Sequence, residues 1–118
     1  MKKFSLTAIA RTQMRTAATA SSGRSASTVF GGHEHTLRQT VMGLAAGTEL
    51  KEHLNPGEAT VMVLSGRIRL TSGEQQWEGR TGDLLVMPSG TSQITALEES
   101  GLLLSVAKTD RAVPPSTS

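Results

Sequence analysis

The sequence predicts an all-β domain, a sandwich or barrel of short strands with one short helix ahead of it. Three observations carry this. Residues 37–108 divide into eight apolar or alternating segments of strand length. Glycine- and proline-bearing turn signals stand between them, including Ala45-Ala46-Gly47, Asn55-Pro56-Gly57 and Ser65-Gly66. Helical spacing of apolar residues occurs only near the N-terminus.

The elements follow in order. Over residues 5–18, Leu6, Ile9, Ala10, Met14 and Ala17 fall on one face of a helix, with Ser5 or Thr7 as the cap and Arg11 and Arg15 set mostly elsewhere. Residues 19–32 are rich in Ser, Ala, Gly and Thr, which reads as an irregular linker with a short edge strand at 27–30. Strands are then expected at 37–44, 48–54, 59–64, 67–71, 74–79, 83–87, 91–97 and 102–108. The run Ala59-Thr60-Val61-Met62-Val63-Leu64 is short and partly β-branched and lies between glycine turns, so it is a buried strand rather than a helix. Pro88 stops the apolar run before it. The domain division is thus 1–32, a basic N-terminal arm with helix and linker; 33–110, the barrel; and 111–118, a frayed tail with nothing to pack against.

Composition narrows the function classes. A chain of 118 residues holds one domain with a real core. The absence of cysteine removes disulfides, zinc knuckles and cysteine nucleophiles. Three aromatic residues, Phe4, Phe30 and Trp77, do not make a stacking platform for single-stranded nucleic acid. No apolar run approaches the ~20 residues of a membrane-spanning helix, and the expected location is the cytoplasm.

Charge is unevenly spread. Residues 1–30 carry Lys2, Lys3, Arg11, Arg15 and Arg24 without an acid, whereas the rest of the chain is acidic on balance. The sequence pI of about 9.5 therefore belongs to the arm and not to a nucleic-acid-binding barrel. Neither nucleic acid nor membrane is an expected partner.

Two stretches carry the most information, residues 47–66 (GTELKEHLNPGEATVMVLSG) and 82–93 (GDLLVMPSGTSQ). They resemble the two motifs of the cupin superfamily, and the chain looks most like its small single-domain bacterial members. The first motif runs Gly, five residues, His, one residue, His, three or four residues, Glu, six residues, Gly. Gly47, His53 and Gly66 match it, Asn55 stands at the second His and Ala59 at the Glu. Glu58 is one residue early, which on a strand turns its side chain to the opposite face. The second motif runs Gly, five residues, Pro, one residue, Gly, two residues, His, three residues, Asn. Here Gly82, Pro88 and Gly90 match, Gln93 replaces the His and Leu97 the Asn.

The resemblance implies a cupin-type double-stranded β-helix, a jelly-roll barrel, with a pocket at its mouth. It also implies, for metal-dependent relatives, three His and one Glu around a metal; only His53 survives of those four. No metal and no other cofactor is therefore expected, and a metal, if held, would need His53 with unidentified partners. His33 and His35 have ligand spacing but lie before the first of the eight strands. If 37–44 and 48–54 form a hairpin, His53 faces Thr40 and His35 is a further ~17 Å along the strand.

The same hairpin register puts Arg38, Thr40 and Met42 on one face with His53. The expected ligand pocket is Arg38, Thr40, His53, Asn55 and Gln93, a set of guanidinium, hydroxyl, imidazole and amide groups suited to a small polar or anionic molecule. The alternative for Arg38 is a surface ion pair with Glu49 or Glu52. No Ser/His/Asp set points to nucleophilic catalysis. The expected function is a metal-independent small-molecule binding or sensing module, as a homodimer. Two alternatives stay open: an enzyme, either a metal-dependent oxygenase or isomerase or a metal-free isomerase or lyase using His53, and a structural dimerisation module.

Overall fold

The computed structural model describes residues 2–54 and 57–108. Helix α1 (Leu6–Thr19) is followed by nine strands among these residues: β1 (Arg24–Phe30), β2 (Leu37–Leu44), β3 (Glu49–Leu54), β4 (Gly57–Ser65), β5 (Arg67–Ser72), β6 (Gln75–Arg80), β7 (Leu84–Met87), β8 (Gly90–Ala96) and β9 (Ser100–Lys108). All eight expected strands are present within a few residues of their expected bounds. The linker is more ordered than its composition suggests, since Arg24–Phe30 is a seven-residue strand. Its alternating burial, not its polarity, is what a strand on the rim of a sheet needs.

The strands form two antiparallel sheets, one in the order β1-β2-β9-β4-β7 and the other β3-β8-β5-β6. This is a jelly-roll arrangement. Between the sheets lies the core: Met42 and Leu44 of β2, Leu50 of β3, Ala59, Val61 and Val63 of β4, Ile68 and Leu70 of β5, Met87 of β7, Ile94 and Ala96 of β8, and Leu102 and Leu104 of β9. Each set recurs at period two, so one face of every contributing strand is apolar and the other is free to be polar.

The expected hairpin of the second and third strands is not formed. Strand β2 pairs with β1 and β9 in one sheet, and β3 pairs with β8 in the other. His53 is opposite Thr91, not Thr40, and Thr40 is flanked by Thr28 and Leu104. The connection through Ala45-Ala46-Gly47 crosses from one sheet to the other. Gly47 donates its backbone N–H to Ala96 O at 2.7 Å and Ala96 donates back to Thr48 O at 2.9 Å, which fixes the crossing to β8.

Helix α1 begins at Ser5, whose hydroxyl accepts from the Ala8 N–H at 3.3 Å. It lies on the outer face of the five-stranded sheet with Ala10 and Ala17 buried. Close approach is possible because the sheet offers glycine beneath it. A Cβ on Gly43 would collide with the backbone of Gln13 and Met14, and one on Gly101 would press on Ala10 and Met14. The amphipathic segment is therefore a cover over β1, β2 and β9, which contribute Val41 at zero exposure to the helix-facing side.

Candidate functional site

The parity of each strand decides which side chains reach the barrel. On β2, Met42 and Leu44 belong to the core, so Thr40 and Arg38 share the inward face, Thr40 half-buried and Arg38 exposed towards the open end. Val41 and Gly43 face the helix, and Gln39 donates from its amide to Ser105 Oγ at 3.1 Å on that outer side. On β3, Leu50 is in the core, and Glu52, half-buried, lies on the same face two residues on. On β8, Ile94 and Ala96 are in the core, and Ser92, 1% exposed, continues that face.

Ladder register then brings these residues to one end. Glu52 is directly opposite Ser92, and Arg38 is opposite Val106, which in turn is opposite Ala59. The inward polar groups towards this mouth are Arg38, Thr40, Glu52 and Ser92, set above the apolar floor of Met42, Val61, Ile94 and Leu104. Ser92 Oγ is fully buried and has no hydrogen-bond partner among the described residues. Its neighbour in kind, Ser100, is the opposite case. Also buried, Ser100 Oγ accepts from the Arg67 N–H at 3.2 Å and lies 2.8 Å from Glu98 O, to which it donates.

The expected pocket residues divide accordingly. Arg38 and Thr40 lie on the face of β2 that carries Met42 and Leu44, with β1 and β9 as neighbours and not β3. Gln93 is not on an inward face: with Ser92 and Ile94 inward, it lies on the outer face of the four-stranded sheet, between Lys51 and Thr71. That face is polar throughout. It carries Arg67, which bonds Glu78 and Glu98 at 3.2 Å each, and Arg69, 3.6 Å from Glu78. The motif spacing placed Gln93 inward, but the strand enters one residue out of step, and Ser92 takes the inward position. Asn55 lies outside the described residues, as does the side chain of His53. The alternative ion pairs for Arg38 with Glu49 or Glu52 are not formed, since the ion pairs among the described residues involve Arg67 and Arg69.

Glu52 and Ser92 were missed as site residues. The signal was available: counting by two from Leu50 reaches Glu52, and counting back by two from Ile94 reaches Ser92. Glu58, by contrast, is exposed and Ala59 buried, as the one-residue offset implies. His35 packs edge-on against Phe30 at 5.0 Å between ring centroids, a local contact on β1.

A model of the cupin domain matches residues 40–99. This chain belongs to the cupin family. A conserved protein of unknown function from Streptococcus pyogenes is similar at 28% identity and TM-score 0.67, over 77% of this chain and 79% of that one. A cupin 2 conserved barrel domain protein from Salinispora arenicola shares the fold at 15% identity and TM-score 0.63, over 75% and 78% of the two chains. Salicylate 1,2-dioxygenase from Pseudoaminobacter salicylatoxidans is similar at 21% identity and TM-score 0.69, over 90% of this cupin but 33% of that enzyme. No curated protein matches the sequence.

The described donors of this cupin, which do not include the side chains of His53 and Asn55, do not fit the three-His, one-Glu metal site. Among the described residues no three His, Asp or Glu side chains come together. The Glu position is Ala59, 4% exposed and part of the core, and the inward residue of β8 is a serine. A hydroxyl and a single carboxylate are a poor set for a first-row divalent ion. No helix among the described residues is long and apolar enough to cross a membrane.

Proposed function

We propose that this chain is a metal-independent cupin that binds a small polar or anionic molecule at the barrel mouth, as a cytoplasmic homodimer without catalysis of its own. The observation that carries this reading is the buried, unpartnered Ser92 Oγ on the inward face opposite Glu52. An unmet buried hydroxyl costs about 1–3 kcal/mol, and a ligand reaching into the barrel offsets that cost. Arg38 gives a planar two-pronged donor for an acidic end, Thr40 and Ser92 both donate and accept, and Glu52 accepts from a hydroxyl or amine.

Binding is preferred to catalysis because, among the described residues, no positioned donor pair stands beside Glu52 to stabilise a developing charge. The test is calorimetric titration of the purified protein with a panel of small hydroxy acids and sugars, repeated with Arg38→Gln and Ser92→Ala. Saturable binding weakened by both substitutions supports the reading. Turnover of any panel member that Glu52→Gln abolishes would replace it with the enzyme reading.

A further inference from the structure

A second concave site lies away from the barrel, between α1 and the end of β4. It is a cleft of about 310 Å³ lined by Arg11, Met14 and Arg15 of α1 and by Leu64, Ser65 and Glu99. That volume is at the lower end of small-molecule pockets, ~300–1,000 Å³. Two independent features shape it.

The first is charge. Arg11 and Arg15 are one helical turn apart on an α1 that has no acidic residue in its first turn, and like charges at this spacing work against a helix. Among the described residues neither forms an ion pair, and Glu99, which also lines the cleft, forms none either. Two guanidinium groups against one carboxylate leave the cleft cationic.

The second is a bulge. The β4–β9 register shifts between Val63 and Ser65, so Leu64 drops out of the ladder at the cleft. Bulges of this kind re-aim side chains and occur often beside functional sites. With Ala10 and Met14 from α1, Leu64 gives the cleft an apolar wall, and Thr7 and Ser65 add hydroxyls at its rim.

We propose that this cleft binds an organic anion with a short apolar chain, its acidic end held between Arg11 and Arg15 and its chain against Ala10, Met14 and Leu64. A guanidinium pair one turn apart suits the two oxygens of a carboxylate, and the apolar wall adds area that a purely inorganic anion cannot use. The barrel takes no part in this site, so its fate is independent of the binding function proposed above.

The experiment is isothermal titration of the full chain with octanoate below its micelle concentration, with octylammonium and inorganic phosphate as comparison probes. Octanoate is expected to bind saturably at one per chain, more tightly than phosphate, and octylammonium not at all. The Arg11→Gln/Arg15→Gln double variant, which keeps good helix formers at both exposed positions, should raise Kd at least roughly tenfold. Glu99→Gln should lower Kd, because it removes the one opposing charge, and Arg38→Gln should leave it unchanged. The proposal is overturned by absence of saturable octanoate binding, by an unchanged Kd in the double variant, by equal binding of octylammonium, or by loss of binding in Arg38→Gln, which would move the ligand to the barrel. Weaker binding in Glu99→Gln would overturn the assigned charge class in favour of a zwitterion.

Discussion

Glu52 and Ser92 stand opposite each other across the β3–β8 ladder, on the face that looks into the barrel. One is half-buried and ionisable; the other is fully buried with an unpartnered hydroxyl. Stability and binding should therefore respond in opposite ways at Ser92. Ser92→Ala removes a buried group whose hydrogen bond is unmet, so urea unfolding should show unchanged or higher stability, while affinity for a barrel ligand falls.

Ser100→Ala should behave differently. Its hydroxyl joins the backbone of Arg67 to that of Glu98 in a site with no exposure. Removing it strands the Arg67 N–H and the Glu98 carbonyl, and the expected loss is about 1–3 kcal/mol in the same unfolding measurement. Equal stability of the two alanine variants would contradict the contrast drawn between the two serines.

Gly43 is the contact point for α1, and a methyl group there meets the backbone of Gln13 and Met14 instead of a flexible side chain. Gly43→Ala should lower stability by about 1–3 kcal/mol, the range for overpacking a close contact. Hydrogen exchange should locate the damage in residues of α1, with the four-stranded sheet protected as before.

Arg67 bridges Glu78 and Glu98, yet all three side chains are substantially exposed, Arg67 at 33% and its partners at 45% and 57%. Arg67→Ala should cost no more than about 1 kcal/mol, and the difference from the parent protein should shrink in high salt. The check is a pair of thermal unfolding series at low and high ionic strength.

The outer face of β7 exposes Leu84 at 60% and Val86 at 74%, on the edge strand of the five-stranded sheet. If the proposed homodimer forms there, Val86→Lys should give a monomer in sedimentation velocity without loss of folded structure. A variant that keeps the parent's sedimentation coefficient would place the contact on another surface.

Metal content gives the remaining check. Mass spectrometry of untagged protein should find well below one equivalent of iron, manganese, nickel or zinc, and chelation should leave the melting temperature where it was. Near-stoichiometric metal would show that the barrel draws on ligands beyond its inward Glu52.

The fold class was legible because it rests on local signals. Strand length, period-two apolar runs and turn chemistry at Gly47, Gly66 and Pro88 are properties of consecutive residues, and they produce the same strands wherever the chain places them. The same locality explains why α1 was visible and why Glu58 and Ala59 could be sorted to opposite faces.

The site was only partly legible. Arg38 and Thr40 share a face with Met42 by period alone, which no pairing can alter. Their relation to His53 was a matter of pairing, and a hairpin was the economical choice for two strands joined by a short turn. The fold instead sends β2 and β3 into different sheets, where β9 and β8, far along the chain, become their neighbours. Gln93 shows the same limit at finer scale, since one residue of phase at the entry to β8 exchanges it for Ser92. By itself, then, the sequence determined the strands, their apolar faces and the cationic N-terminal helix, because each depends on residues a few positions apart. Only the tertiary structure decided which strands meet, that Glu52 confronts Ser92, and that Arg11 and Arg15 border a cleft with Leu64 and Glu99, because these depend on contacts between segments that the chain alone does not order.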